Sequence, residues 1–305
     1  MRTKAPQSGG RALHAELRQL FASAPAPSDG DDAKVTLADV LERGWFELWY
    51  QPKIELRTMR LVGAEALVRG RHPTRGVLSP GVFLPGASER DMLALTERVI
   101  ITALRDWEDC AAHGMSVKFN VNVPVSALIK LPIATIVREG RPKAKNWPGL
   151  VLEVTEDEII HDLKIANEVA GQLQASHCAL ALDDFGAGYS SLARLQQLPF
   201  CELKIDRAYV TDCNVDKINA GLCEVFCELG RRFDLTIVAE GIETIHESHK
   251  LQALGCHIGQ GYLFAKPMPK TRLIGMMRAR LVGTPMAPAR RSGLARLIPG
   301  FSAKG

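Results

Sequence analysis

The residues of this chain that could do chemistry are far apart in sequence but share a setting. Glu65 lies in RLVGAEALVRGRHP, Asn122 in KFNVNVP and Glu153 in GLVLEVTE. Asp183 and Asp184 end ALALDDFG, Lys204 lies in CELKID, Glu240 in LTIVAEGIE and Gln260 in GCHIGQGY. Each is a carboxylate, an amide or an ammonium at or near the end of a short apolar run. Glu65 poses the sharpest question, because Leu61, Val62, Ala64, Ala66, Leu67 and Val68 surround it. A buried carboxylate is strongly disfavoured unless it is protonated, paired or bound to a metal. An ion pair with a neighbour such as Arg69, a raised pKa or a cation would each resolve it.

Taken singly, most of these residues have plain alternatives. Asn122 could form a turn before Pro124, Glu153 could pair with a nearby base, Asp183 and Asp184 could cap a following helix, and Lys204 could snorkel to solvent. Together the alternatives weaken, because four or five carboxylates converging on one place repel each other unless cations sit among them. An all-oxygen donor set selects hard ions, Mg²⁺ or Mn²⁺, over zinc. The eight histidines form no H-E-x-x-H, and His246 and His249 fall on a helix expected to face solvent. Adjacent aspartates suit two metals about 3.5–4 Å apart with one carboxylate bridging them. Such a pair clamps a phosphate and activates water, so phosphodiester hydrolysis is the reaction class that fits.

Something must bring these residues together. From Thr36 the chain alternates strand-like and helix-like segments: a helix near Leu37–Arg43, the strand FELWYQPKIEL, the turn RTMR and the strand holding Glu65. A long helix follows, with Met92, Leu95, Val99, Ala103, Trp107 and Cys110 at helical spacing. Strands spaced by helices argue for a parallel sheet closed into a (β/α) barrel, in which active sites gather at the C-terminal strand ends. The rival is an open doubly wound sheet, which usually carries a glycine-rich phosphate loop after its first strand. Neither G-x-G-x-x-G nor G-x-x-x-x-G-K-[ST] occurs.

The 305 residues are 46% hydrophobic and 24% charged, a soluble globular balance able to bury a large core. Seven cysteines without a Cys-x-x-Cys pair favour packing roles in a reducing compartment, and no apolar run is long enough to span a membrane. A cytoplasmic protein is expected. Residues 1–35 read as a flexible leader, too short for a sensory domain, 36–282 as the functional domain and 283–305 as a flexible tail. The net charge of +4 resides in that tail, in Arg290, Arg291, Arg296 and Lys304. The remainder is neutral, which speaks against a duplex nucleic-acid surface; the tail's basic and apolar residues suit at most a weak membrane or protein contact.

The motifs YQPKIEL, GAEALVR, RHPTRGVLSP, NVNV, LEVTE, DDFGAGYSSL, LPFCELKID, AEGIET and QGYLFAKPM resemble, in order and spacing, those of the EAL domain family. The resemblance covers roughly Leu37–Leu281. Members of that family hydrolyse the bacterial second messenger cyclic di-GMP to linear pGpG on a modified TIM (β/α)8 barrel with an antiparallel first strand. The short RTMR connection agrees, since a tight hairpin joins antiparallel neighbours. The resemblance implies two Mg²⁺ or Mn²⁺ ions per active site, the first held by Glu65, Asn122, Glu153 and Asp183, the second by Asp183, Asp184 and Glu240. It gives Lys204 the task of orienting the attacking water or assisting its deprotonation, with Glu240 the alternative base. Gln51, Leu67, Arg69, Glu243 and Gln260 align with residues that contact the dinucleotide. Glu156 aligns with a glutamate anchoring the loop after the paired aspartates, which in relatives couples the metal site to a homodimer interface.

Gly70 stands where a tryptophan is usual, and Gly86 and Ser88 interrupt a usual FIPLAEE stretch, departures expected to touch the substrate rim and helix packing. A non-catalytic cyclic di-GMP receptor signalling through a partner is the rival reading; such relatives lack a metal carboxylate or the lysine, and here none is missing. A protein kinase, suggested by DFG at Asp184–Gly186, would also need a glycine loop, a V-A-I-K lysine and an H-R-D motif, all absent.

Overall fold

The hairpin expected from RTMR starts the sheet. β1 (Phe46–Glu55) turns back into β2 (Arg60–His72), and the two pair antiparallel with Gln51 opposite Glu65 and Lys53 opposite Gly63. The computed structural model describes residues 34–155, 170–186 and 199–281. Residues 1–33, 156–169, 187–198 and 282–305 lie outside the described residues, and with them most of the leader, Glu156, the end of the DFGAGYSS loop and the basic tail.

Helix α1 (Leu37–Glu42) precedes β1, and after the short β3 (Gly76–Leu78) come the helices α2 (Pro80–Phe83) and α3 (Glu89–Ala111), then β4 (Lys118–Asn122). α4 (Val125–Lys130) and α5 (Ile133–Gly140) lead to β5 (Leu150–Thr155), followed by β6 (Cys178–Phe185) and β7 (Phe200–Ile205). α6 (Arg207–Val210) and α7 (Lys217–Phe233) precede β8 (Thr236–Ala239), and α8 (Ile245–Ala253) precedes β9 (Ile258–Gly259), β10 (Met268–Pro269) and α9 (Lys270–Leu281). The strands run β1-β9-β8-β7-β6-β5-β4-β2, and the β1–β2 pairing closes the ring. β1 is antiparallel to both neighbours, whereas β2 and β4 to β9 pair in parallel. The barrel with an antiparallel first strand is therefore present and the open doubly wound sheet is excluded.

Sequence pattern explains which faces are buried. α3 puts Met92, Leu95, Val99, Ala103, Trp107 and Cys110 against the barrel, as its spacing predicts, and Trp107 Nε1 donates to Val117 O at 2.7 Å, tying the helix to the approach to β4. Ser88 caps that helix, its hydroxyl accepting from Asp91 N. Its departure from the family pattern thus serves helix initiation. Gly70 lies on the helix-facing side of β2: a Cβ there would meet Phe83 and Val40 at 3.4 Å. That departure belongs to the packing layer and not to the substrate rim. Cys223 and Cys227 are fully buried in α7, as a packing role requires, and His246 and His249 are exposed.

One buried acid shapes the loop beyond β8. Glu247, only 3% exposed, completes a capping box with Thr244 and accepts from the backbone N–H groups of Glu243, Thr244 and Asp212. Gly241, at φ +68, passes so close to Arg207 that a Cβ would sit 2.3 Å from its Cγ, so only glycine fits this turn. Together they fix the direction in which the chain leaves Glu240. Glu247→Ala would strand these amide donors and is expected to lower the unfolding free energy by about 2 kcal/mol in urea titration. His249→Ala, on the exposed face of the same helix, should leave the midpoint unchanged.

Candidate metal and substrate site

Strand alternation brings the carboxylates inward. In β5, Val151, Glu153 and Thr155 share a face, and the parallel registers set Asn122 beside Glu153 and Thr155 beside Asp183. β2 adds Glu65, with Leu67 and Arg69 following on the same face. Lys204 of β7 reaches the middle. Its Nζ lies 2.6 Å from Glu240 Oε1, 2.8 Å from Glu153 Oε2, 3.1 Å from Asp183 Oδ1 and 3.7 Å from Glu65 Oε2. Carboxylates from β2, β5 and β6, and from the residue just past β8, thus surround one ammonium that is 1% exposed.

Asp183 and Asp184 are consecutive and would point to opposite faces of a regular strand. They do not, because Asp184 adopts a left-handed backbone (φ 53) where the β6–β7 register slips between Leu182 and Phe185. The Asp184 N–H donates to Asp183 Oδ1 at 2.9 Å, and oxygens of Asp183, Asp184 and Glu240 all lie within 4.8 Å of one another.

Glu65 does not pair with Arg69. Four residues apart on a strand the two point the same way but cannot touch, and Arg69 instead donates to Val68 O at 2.7 Å with its guanidinium 5.9 Å from the Trp49 ring. Glu65 accepts from Asn122 Nδ2 at 2.7 Å and from Gln260 Nε2 at 2.5 Å; Gln260 also donates to Gln51 Oε1 at 3.1 Å. Gln51, Glu65 and Gln260 therefore form one chain of hydrogen bonds across β1, β2 and the end of β9. Leu67 is half-buried nearby, while Glu243 is exposed and held by Arg207 at 2.7 Å. Every sequence-predicted site residue except Glu156, which lies outside the described residues, is at the C-terminal end of the parallel strands or on the loop above it.

The charges do not balance. Among the described residues, six buried or half-buried carboxylates (Glu65, Glu153, Asp183, Asp184, Glu202 and Glu240) face two ammonium groups, Lys53 and Lys204, and the Arg69 guanidinium, a formal excess of three negative charges. The imbalance shows in protonation. Burial, then the neighbouring carboxylates, push Glu65 up and Glu240 well up against the pull of Lys204. Burial likewise pushes Asp183 up, and burial and the charge of Asp183 push Asp184 up to about 7. Glu153 is the exception: burial would raise it, but Lys204 and Lys53 together bring it down to about 2. Among the described residues, Asn122 Oδ1 is buried without a hydrogen-bond partner and Glu240 Oε1 has only its ion-pair contact with Lys204. Two divalent cations would offset the excess and give these oxygens partners, so the residues present fit a pair of hard ions.

Three residues of this network escaped the reading of the sequence. Lys53 Nζ lies 2.9 Å from both Glu153 Oε1 and Glu202 Oε2, and Asn120 Nδ2 donates to the same two oxygens at 2.9 and 3.0 Å. The signal was available, since Asn120 and Glu202 sit two residues before Asn122 and Lys204 on their strands, and Lys53 two after Gln51.

A family model described as the EAL domain matches residues 34–267. The chain is 37% identical over 245 residues to the bifunctional diguanylate cyclase/cyclic di-GMP phosphodiesterase MucR of Pseudomonas aeruginosa, covering 78% of this chain and 35% of that one. It is 34% identical over 244 residues to the cyclic di-GMP phosphodiesterase RocR of the same organism, covering 78% and 62%. These alignments leave a third or more of each relative unmatched. The fold superposes on the structure described as PaMucR phosphodiesterase in complex with c-di-GMP with a TM-score of 0.71 and 35% identity, over 78% of this chain and 97% of that one.

Removing one charge from the cluster tests its balance. Asp183→Asn should melt no lower than wild type in chelator, because it relieves repulsion. Mn²⁺ should raise the wild-type melting temperature and leave that of the variant nearly unmoved. Both curves are read by scanning calorimetry, and an equal Mn²⁺ shift in the two proteins would contradict the charge account.

Proposed function

Because this chain belongs to the EAL domain family, we propose that it is a metal-dependent phosphodiesterase that opens cyclic di-GMP to linear pGpG in the cytoplasm. The observation that carries the reading is the cluster of buried carboxylates that outnumbers the cations beside it, with a residue at every carboxylate position of the family's catalytic pattern. Glu65, Asn122, Glu153 and Asp183 would hold one Mg²⁺ or Mn²⁺, and Asp183, Asp184 and Glu240 the other. Bound there, the pair would supply Lewis-acid polarisation of the phosphodiester and an activated water.

The chain's own groups divide the remaining work. Arg69, 9% exposed and fixed by Val68 O, would present its guanidinium to a phosphate, a geometry that bidentate contact favours. Leu67 and Glu243 would border the dinucleotide, and the Gln51–Gln260 pair would back Glu65 from behind. Lys204, which burial pushes down but the four surrounding carboxylates hold well above the ordinary range, would orient water as a donor. Glu240, in contact with Lys204 Nζ at 2.6 Å and close to Asp183 and Asp184, would accept the proton from the attacking water.

The same reading includes a homodimer. Ile218, Leu222 and Val225 fall at helical spacing on α7, Val215 lies in the turn just before it, and Ile218 and Val225 are 74% and 54% exposed. A self-complementary contact would cover them.

Hydrolysis of cyclic di-GMP with the product identified tests the reaction. Glu65→Ala should reduce turnover by more than the roughly 10–100-fold that a supporting residue of a metal site is worth, with the fold retained by circular dichroism. Ligand binding without linear product at any Mg²⁺ or Mn²⁺ concentration would make the wild-type chain a receptor and overturn the enzyme reading. Ca²⁺ should support little turnover, because it prefers longer bonds and more ligands. Ile218→Arg should shift the sedimentation coefficient from dimer to monomer.

A further inference from the structure

We infer that Lys53, Asn120 and Glu202 form a buried positioning ring that clamps one oxygen of Glu153, so that only the other, Oε2, is presented to the metal site. The ring lies one side-chain layer deeper in the barrel than the ligands. Glu153 Oε1 accepts from Lys53 Nζ and from Asn120 Nδ2, each at 2.9 Å. Glu202 Oε2 accepts from the same two donors at 2.9 and 3.0 Å. Two donors and two acceptors close a ring in which Lys53 is 1%, Asn120 0% and Glu202 6% exposed. Glu153 Oε2 remains, turned toward Lys204 at 2.8 Å on the side of Asp183 and Glu240.

The ring is built, not incidental. Lys53 is closely packed where it crosses the barrel. Gly63 stands opposite it on β2, and a Cβ there would touch Cβ and Cδ of Lys53 at an ordinary 3.5 Å while pressing on Lys118 O at 3.2 Å. Glu202 balances the lysine: without it Lys53 would neutralise Glu153 outright and weaken that residue as a ligand. With it, the ring's charges cancel and the charge on Glu153 stays available to the mouth. Hydrogen bonds to the far oxygen of a ligating carboxylate set its orientation and basicity. The clamp makes Glu153 a one-oxygen ligand and forbids the swing to two-oxygen binding.

The ring can be altered without touching the substrate. Its lower side faces a cavity of about 330 Å³ at the opposite mouth of the barrel, bounded by Lys53, Gly63, Lys118, Asn120, Glu202 and Thr236. None of these carries a substrate or metal role in the reading above, on which this inference rests.

Mn²⁺ binding measured directly, by the loss of the free-ion electron paramagnetic resonance signal, separates the possibilities. The wild-type chain is titrated first, and no Mn²⁺ bound would sink the metal reading itself. The neutral double variant Lys53→Met with Glu202→Gln, and independently Asn120→Ala, should bind Mn²⁺ roughly 10–100-fold more weakly. The KM for cyclic di-GMP at saturating metal should stay unchanged. Wild-type Mn²⁺ affinity in folded variants, with only the melting temperature lowered, would reduce the ring to a structural element and overturn the inference. Should the double variant not fold, Asn120→Ala, which keeps the Lys53 ion pairs, decides by the same readout.

Discussion

Excess negative charge, enclosed where water cannot screen it, is the constraint around which this barrel is arranged. Coulomb repulsion between carboxylates a few ångströms apart grows as the surrounding dielectric falls. A fold that converges Glu65, Glu153, Asp183, Asp184 and Glu240 must therefore supply countercharge. The protein supplies one ammonium at the centre, Lys204, and a second beneath it, Lys53. The remainder is met by protons on the carboxylates or by divalent ions. Charge economy of this kind makes the cluster costly by itself and would make it more stable with cations bound.

The antiparallel first strand has a consequence for that arrangement. In an all-parallel barrel each strand presents its inward residues to the mouth in the same order. β1 runs the other way, so Gln51 reaches the mouth while Lys53, two residues later, reaches the layer below. The reversal lets a short hairpin deliver both a hydrogen-bond partner for the Glu65 chain and the cation of the deeper ring. The barrel interior is thus polar in two layers: the carboxylate cluster above, and the ring of Lys53, Asn120 and Glu202 below, which faces a cavity of about 330 Å³. Helices pack the outside with ordinary apolar surface, and the departures at Gly70 and Ser88 fall in that outer layer, where they do not meet the site.

Much of this was legible in the sequence. Helical spacing in α3 identified its buried face, and the RTMR turn required antiparallel β1 and β2. Polar residues at the ends of apolar runs named the side chains that the barrel brings together at its mouth, because strand position fixes which end of a barrel a residue reaches. Other features were not legible. Arg69 stood as a candidate partner for Glu65, yet a strand spaces residues four apart too widely to touch. Glu65 instead bonds Asn122 and Gln260, from strands far away in the chain. Lys53, Asn120 and Glu202 read as unremarkable alternation in three separate motifs, since a one-dimensional pattern shows which face a side chain occupies but not which layer.

The sequence by itself determined the fold class, the family and the chemical character of the site, because burial periodicity and the identity of oxygen donors are local properties. Only the tertiary structure decided how the donors share their charge. Lys204 touches four carboxylates, Asp184 turns onto the side of Asp183 through a left-handed backbone, and one oxygen of Glu153 is held from below. Those outcomes depend on strand register and barrel closure, which are set by packing over the whole ring and are written in no single stretch of residues.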